Sequence, residues 1–526
     1  MNSLAAREEG RDLVAPAALG LLGAPGPRRI LVLQLARLGD LVQTWPLLTR
    51  LRQAYPGARL TLLTDQRLLA LTALGPRLDE VQGFDYQGLT SQVARDWPGA
   101  YQRVAGLVQD LKSREFDLVF NLNFARVSLL LAYLLGAPTR GFLPAAGGRE
   151  FSRGPWLAWI YSLVHARRCN RFHLTDVFRH LAPEPAGAVP PPAPAAFPGG
   201  EPVIALQLAT RHARRTWPLE HFTRLTEFLV SRMGARVLLL GTKAERVLGD
   251  RLRAALSPAS RERVVNLQGQ TGLAELAGQI KETNFVVSGD TGTLHLAAAL
   301  GVPCLALFLG PALCFETGPY GSGHYVLQAE PPCHPCLEAA SPCPREGQVC
   351  LEMLPPLAVG QLVAGLLENG AAPPDLSLPA GTRLYRSRLD DFGVFYQPLG
   401  NTNLRFLDLV GQAYCQAGVW LAGKAKDFGG EGQGPWAPAL SPKPPLPTPY
   451  GERDKLAEGD LQALEALLAA LHQGTQAPPD LPEVAAALKP LLAFQKEMQR
   501  QGQDALFIGA KTVFTAQLES WLNQTR

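Results

Sequence analysis

The chain has 526 residues, enough for two or three domains that each bury a core of their own. A formal net charge of +4 spread over well-mixed charges argues against a dedicated nucleic-acid binder, and eight cysteines in so long a chain argue against a secreted disulfide scaffold. No apolar run reaches the roughly 18 residues of a spanning helix. Val127–Leu135 and Trp156–Val164 stop short, and the N-terminus, with Arg7, Glu8, Glu9, Arg11 and Asp12, has no signal-peptide core, so the expected compartment is the cytoplasm.

Residues 1–28 read as an N-terminal extension. The first domain, 29–182, opens with a buried strand at Ile30–Leu35, then Gly39-Asp40, then a helix over Leu41–Tyr55. A strand at Leu60–Leu63, a helix at Gln66–Leu74, a helix at Val93–Arg114, a strand at Asp117–Asn121 and a helix at Arg126–Leu135 follow. Strands alternating with helices predict an α/β fold with a parallel sheet covered on both faces. Asp40 sits on a loop between strand and helix. It is either a helix N-cap or a general base pointing into a cleft.

Pro183–Pro202 holds eight prolines and is assigned as a linker. The alternation restarts in a second domain, 203–371, with strands at Val203–Leu208, Arg236–Leu240 and Val264–Leu267 and helices at Leu219–Met233, Ala244–Leu256 and Leu273–Glu282. Arg211, Arg214 and Arg215 precede the first of these helices. They form either an anion site, since guanidinium groups pair with phosphate oxygens, or a solvated basic loop. Glu245 closes a strand and either accepts from ribose hydroxyls or complements a helix dipole.

The stretch Asn284–Pro311, NFVVSGDTGTLHLAAALGVPCLALFLGP, organises the rest. It is a strand, a loop of small polar residues, a helix stopped by Gly301 and Pro303, and a second buried strand. The loop falls where open α/β sheets bind ligands, and the N–H groups at the helix start suit phosphate. Asp290 beside them accepts from sugar or ribose hydroxyls, or holds a cation or His295 in place. His295 is a phosphate donor or a structural histidine.

Cys333, Cys336, Cys343 and Cys350 are spaced CxxC-x6-C-x6-C, either a tetrahedral zinc site of structural kind or reduced structural cysteines. From Ala372 the pattern changes to a mainly helical appendage, 372–526. It has a Gly/Pro-rich loop at Lys426–Gly451, a helix carrying Leu461, Leu464, Leu468 and Leu471, and further helices near Pro482–Gln499 and Ala505–Leu522.

These pieces resemble glycosyltransferase family 9, the ADP-heptose:lipopolysaccharide heptosyltransferases, over Arg29–Asn369. The likeness rests on ILVLQLARLGDLVQTWPLL, RRTWPLEHF, LLLGTKAE and SGDTGTLHLAAALGVPCLALFLGP. It implies a GT-B fold, two Rossmann-like domains facing across a cleft, and inverting transfer that needs no metal or other cofactor at the reacting bond. It implies a nucleotide-sugar donor, ADP-heptose, on the second domain, and a glycolipid acceptor of lipopolysaccharide core or a related surface glycan in a Gram-negative bacterium. Asp40 takes the place of the catalytic base. Arg215 falls where members often carry a Lys on the donor phosphates. Glu245 matches a ribose-holding carboxylate, and Asp290, Thr291, Gly292, Thr293 and His295 match donor contacts. Gly39 and Gln43 lie on the acceptor side, Gln43 where many members have His. A glycolipid acceptor also implies at most peripheral contact with the inner membrane, through patches such as Trp156, Trp159, Arg167 and Arg168, which an amphipathic core helix explains equally well. The rival readings are a nucleotide-sugar epimerase of the same two-domain plan and a non-catalytic nucleotide-sugar-binding scaffold.

Overall fold

The computed structural model describes residues 26–144, 151–152, 154–183, 194, 196–336, 343, 346–390, 392–400, 405–424, 458–474, 477, 480–500 and 503–525. The Lys426–Gly451 loop and most of the Pro183–Pro202 linker lie outside them. The first domain runs β1 (Arg29–Gln34), α1 (Leu38–Ala54), β2 (Arg59–Asp65), α2 (Leu69–Thr72), β3 (Glu80–Phe84), α3 (Tyr86–Val93), α4 (Trp97–Ser113), β4 (Leu118–Asn121), α5 (Arg126–Leu135) and β5 (Thr139–Gly141). A two-residue ribbon, β6 (Leu143–Pro144) with β7 (Phe151–Ser152), and helices α6 (Pro155–Ser162) and α7 (Leu174–Arg179) complete it. The sheet order is β3-β2-β1-β4-β5, all parallel. Ile30, Leu31, Val32 and Leu33 are fully buried, as a strand covered on both faces demands.

Three elements differ from expectation. Helix α1 starts at Leu38, which puts Asp40 inside its first turn. The helix expected over Val93–Arg114 is α4, which starts only at Trp97, and α3 before it was not foreseen; Asp85 caps α3 and Asp96 caps α4, accepting from Gly88 N (2.8 Å) and Gly99 N (2.9 Å). Strand β3 has only one fully buried residue, Phe84, so it lacks the apolar run that signals a strand.

The second domain runs β8 (Val203–Gln207), α8 (Leu219–Met233), β9 (Arg236–Leu240), α9 (Arg246–Ala255), α10 (Pro258–Glu262), β10 (Val264–Asn266), α11 (Leu273–Lys281), β11 (Phe285–Ser288), α12 (Gly292–Ala299), β12 (Cys304–Phe308), α13 (Cys314–Thr317), β13 (Tyr325–Ala329) and α14 (Pro356–Asn369). Its parallel strands lie in the order β10-β9-β8-β11-β12-β13. Two doubly wound sheets facing each other make the expected GT-B arrangement. The apolar stretch Gly347–Asn369 is long enough by composition to cross a bilayer, but Gly347 and Gln348 break the helical backbone, and α14 beyond them fully buries Val359, Leu362 and Val363 in the core.

The appendage begins with a hairpin that the sequence did not reveal. Strands β14 (Thr382–Leu389) and β15 (Val394–Leu399) add antiparallel to β13 and carry the second sheet to eight strands. Helices α15 (Phe406–Lys424), α16 (Glu458–Gln473), α17 (Pro482–Arg500) and α18 (Asp504–Thr525) then pack on one another, and α15 and α17 lie against α6 of the first domain. Trp159 of α6 is fully buried; its Nε1 donates to Tyr414 O (3.2 Å) and its ring meets Phe494 edge-on at 4.9 Å. Trp156 is buried too, while Arg167 pairs with Glu316 and Arg168 donates to His334 O (2.8 Å). The four residues suggested for a membrane patch are therefore core and cross-domain contacts. On the first domain, Leu130, Tyr133 and Leu134 of α5 are exposed instead.

A buried charge cluster ties the three parts together. Asp408, at the start of α15, accepts from Arg171 of the first domain (2.9 Å), Arg383 of β14 (3.3 Å) and Arg405 (3.0 Å). Burial raises the proton affinity of Asp408, but the arginines outweigh it and hold the carboxyl down at about 2. Asp408→Ala removes the carboxylate that three guanidinium groups share and is expected to cost about 3–5 kcal/mol, read as a lowered Tm. A Tm within error of the wild type would refute this account.

Asp176 of α7 forms a second junction. It accepts from Tyr320 OH (2.8 Å) and from Val394 N (3.0 Å), but complete burial dominates and pushes its carboxyl up to about 6. The folded protein thus keeps this proton to about pH 6, whereas an unfolded Asp releases it near about pH 4. Between those values the folded state binds more protons, so this group's contribution to stability falls as pH rises. Asp176→Asn removes that dependence, and its Tm relative to the wild type is expected to rise between about pH 4.5 and about pH 7.5. A constant difference across this range contradicts the assignment.

Candidate functional site

The carboxyl ends of β1, β8 and β11 face one another, and each is followed by a turn that carries the candidate residues. On the first-domain side Gly39 and Asp40 lie in the first turn of α1. Asp40 Oδ2 accepts from Arg37 N (3.1 Å), so the carboxylate serves the helix start while remaining only half-buried. Gln43 is 5% exposed and donates to Gly39 O (3.2 Å), one turn back on the same helix. Gln34, the last residue of β1, donates to Thr44 Oγ1 (3.0 Å) and pins the strand to α1.

On the second-domain side Thr291 caps α12, its Oγ1 accepting from Leu294 N (3.3 Å) and standing 2.8 Å from Ser288 Oγ. Asp290 forms an ion pair with Arg215, and the two side chains are 7% and 19% exposed. His295 Nε2 stands 3.7 Å from the other Asp290 oxygen. Burial raises the proton affinity of Asp290; His295 and Arg215 outweigh it and leave the carboxyl below the usual carboxylate range. Of the two roles open to Asp290, the structure displays the second, holding a cation and His295 in place. His295 Nδ1 is buried and has no hydrogen-bond partner among the described residues.

Glu245 does accept at a helix start. Its Oε2 takes bonds from Thr242 N (3.0 Å) and Gln207 Nε2 (3.0 Å). Gly241 makes room for it: φ is +150°, and a Cβ there would stand 2.2 Å from that oxygen. Gln207 Oε1 in turn accepts from Thr293 Oγ1 (2.9 Å), so one buried amide joins Glu245 to the start of α12. Gln207 escaped the sequence reading. The signal was present, because a glutamine ends the apolar run of β8 as another ends β1, and a polar residue there faces the ligand edge of the sheet.

The arginine loop does not converge on one site. Arg215 faces Asp290, Arg214 lies 4.0 Å from Cys336 Sγ on the opposite side, and Arg211 is exposed.

The two halves touch at Gly39. A Cβ at Gly39 would stand 2.8 Å from His295 Cδ2, and one at Gly292 would stand 2.6 Å from Leu38 Cδ2 and 3.2 Å from Gly39 N. The Gly39-Asp40 turn and the Asp290–His295 turn are therefore in van der Waals contact across the domain boundary. A family model for glycosyltransferase family 9 (heptosyltransferase) matches residues 104–345. The match takes in the second half of the first domain and most of the second. Lipopolysaccharide heptosyltransferase 1 of Pseudomonas aeruginosa is 28% identical over 323 residues, 59% of this chain and 86% of the relative. Lipooligosaccharide heptosyltransferase 2 of Haemophilus influenzae is 38% identical over 114 residues, but this covers only 32% of its length. Among solved structures, Escherichia coli ADP-heptose lipopolysaccharide heptosyltransferase II aligns over 65% of this chain and all of its own, at 20% identity and a TM-score of 0.49.

In this glycosyltransferase the contact at Gly39 leaves no slack. Gly39→Ala pushes a methyl into the buried His295 ring. A displacement of about 1 Å at such a site costs on the order of 100-fold in rate. The expected outcome is that loss in kcat with an unchanged Tm; full activity would show that the domains part here during turnover.

Proposed function

We propose that the protein is an inverting heptosyltransferase, which moves heptose from ADP-heptose to the core region of lipopolysaccharide or a related surface glycan. The observation that carries this reading is the meeting of the Gly39-Asp40 turn with the Asp290–His295 turn, backed by the buried Arg215–Asp290 pair. The names of the curated relatives support the sugar and the acceptor class.

The donor lies on the second domain. Its diphosphate sits against the N–H groups of Thr291, Gly292 and Thr293, where the start of α12 carries partial positive charge. Arg215, held by Asp290, adds the charge that stabilises the departing phosphate, and His295 offers its unpartnered Nδ1. Glu245, fixed by Thr242 and Gln207, keeps its second oxygen for the ribose. The acceptor enters from the first domain beside Gly39, with Gln43 steadying the turn. Asp40 takes the proton from an acceptor hydroxyl. That oxygen attacks the anomeric carbon from the face opposite the diphosphate, the carbon–phosphate-oxygen bond breaks, and ADP leaves. Each step uses side chains of this chain, and the transfer inverts the anomeric centre.

Calorimetric titration with ADP-heptose, ADP, UDP and UDP-sugars tests the donor. Binding confined to the adenosine nucleotides supports the reading, whereas preference for uridine would overturn the heptosyl assignment. Asp40→Asn tests the base. Donor affinity is expected to hold while transfer falls by about 100-fold or more; unchanged turnover in the folded variant would remove that role. Turnover of the donor without any acceptor would favour an epimerase.

A further inference from the structure

Between β13 and α14 the described chain contains no element longer than the 3-10 turn Glu346–Leu351. Four of the eight cysteines lie here. Cys333, Cys336, Cys343 and Cys350 all line one small cavity, together with Arg214 and Gly310.

Cys169, Cys304 and Cys314 are buried singly in the core, where a thiol acts as a small apolar group. Cys333, Cys336 and Cys343 are only partly buried, and they line that cavity together with the buried Cys350.

The loop's main-chain and amide groups are fixed from outside. Arg167 donates to Cys336 O (3.3 Å) and Arg168 to His334 O (2.8 Å). Gln348 Nε2 donates to Arg214 O (3.0 Å). His334 Nε2 is engaged with Ala312 O (3.0 Å), which leaves sulfur as the donor set around the cavity. Among the described residues no three His, Cys, Asp or Glu side chains are gathered at coordinating positions. Four protonated thiols have no force to draw them together, and a metal ion with sulfur bonds of about 2.3 Å supplies one.

We propose that Cys333, Cys336, Cys343 and Cys350 form a tetrathiolate site for one soft divalent cation, zinc(II) or iron(II). Four S–H protons leave to solvent as four metal–sulfur bonds form. The resulting unit carries two net negative charges and lies beside the Arg214 guanidinium, 4.0 Å from Cys336 Sγ. The charges complement each other, and the closed loop then backs the chain at Arg214 from behind. The ion takes no part in the transfer chemistry and serves the loop alone.

The test uses the full chain purified under reducing conditions without chelator. Elemental analysis is expected to find about one zinc or iron per chain, and the ratio of the two identifies the ion. Exchange with cobalt(II) is expected to give the sulfur-to-cobalt charge-transfer bands of a tetrahedral four-sulfur site. Cys336→Ser and Cys343→Ser should each lose the metal and these bands, while Cys415→Ser keeps both. A metal-free chain that shows no such bands on adding cobalt(II) would overturn the proposal, even if the serine variants fail to fold. Disulfides joining these four positions, found by mass spectrometry of that same preparation, would overturn it as well.

Discussion

One buried carboxylate holds the architecture in register. Asp408 has 1% of its side chain exposed and meets guanidinium groups from three places: Arg171 in the first domain, Arg383 on the edge of the second sheet, and Arg405 at the start of α15. Glu330 balances the surplus charge by pairing with Arg405 (2.6 Å) and Arg383 (3.8 Å). Arg171 also lies over the Phe315 ring at 3.9 Å, so its position is set by packing as well as charge. Such a cluster tolerates little displacement, because any partner that moves leaves a charge buried without compensation. The cleft inherits that rigidity. The van der Waals contact between Gly39 and His295 is possible because the two domains are already fixed against each other elsewhere.

Within the cleft the charges are arranged in layers. Asp290 does not face open space; it is spent on Arg215 and His295, and its lowered proton affinity keeps it ionised for that purpose. An arginine locked in one geometry loses less freedom on meeting a phosphate than a mobile one does. The same logic runs through Gln207. Its amide has no charge, yet it fixes both Glu245 and Thr293, so a neutral residue joins the turn after β9 to the start of α12.

Strands β1, β2, β4 and β8 to β12 were legible from their apolar runs and regularly spaced loops, whereas β3, β5 and β13 were not foreseen. The stretch from Asn284 to Pro311 carried its strand, turn, helix and strand openly, and the structure has each of them. The Asp40 turn and the Arg215, Glu245 and His295 positions were legible for the same reason, since they follow strand ends. The hairpin β14–β15 was not legible: Thr382–Leu389 carries Arg383, Arg386 and Arg388, and these charges break the alternation that marks a half-buried strand. Its pairing with β13 is a tertiary fact with no local signal. The split fates of Arg214 and Arg215 were hidden too, because sequence adjacency does not say which way successive side chains turn out of a 3-10 turn.

The way the chain returns to its own beginning sets the order in which it can be completed. Trp159 finds its partner at Tyr414, 255 residues later, and the second sheet receives its last two strands only after α14 has been made. A ribosome adding about 5–20 residues per second needs roughly 10 to 50 seconds to span that gap. For that time the face of α6 that carries Trp159 emerges without its cover. The first domain is therefore a body that must wait, soluble by other means, for the last third of the chain to arrive.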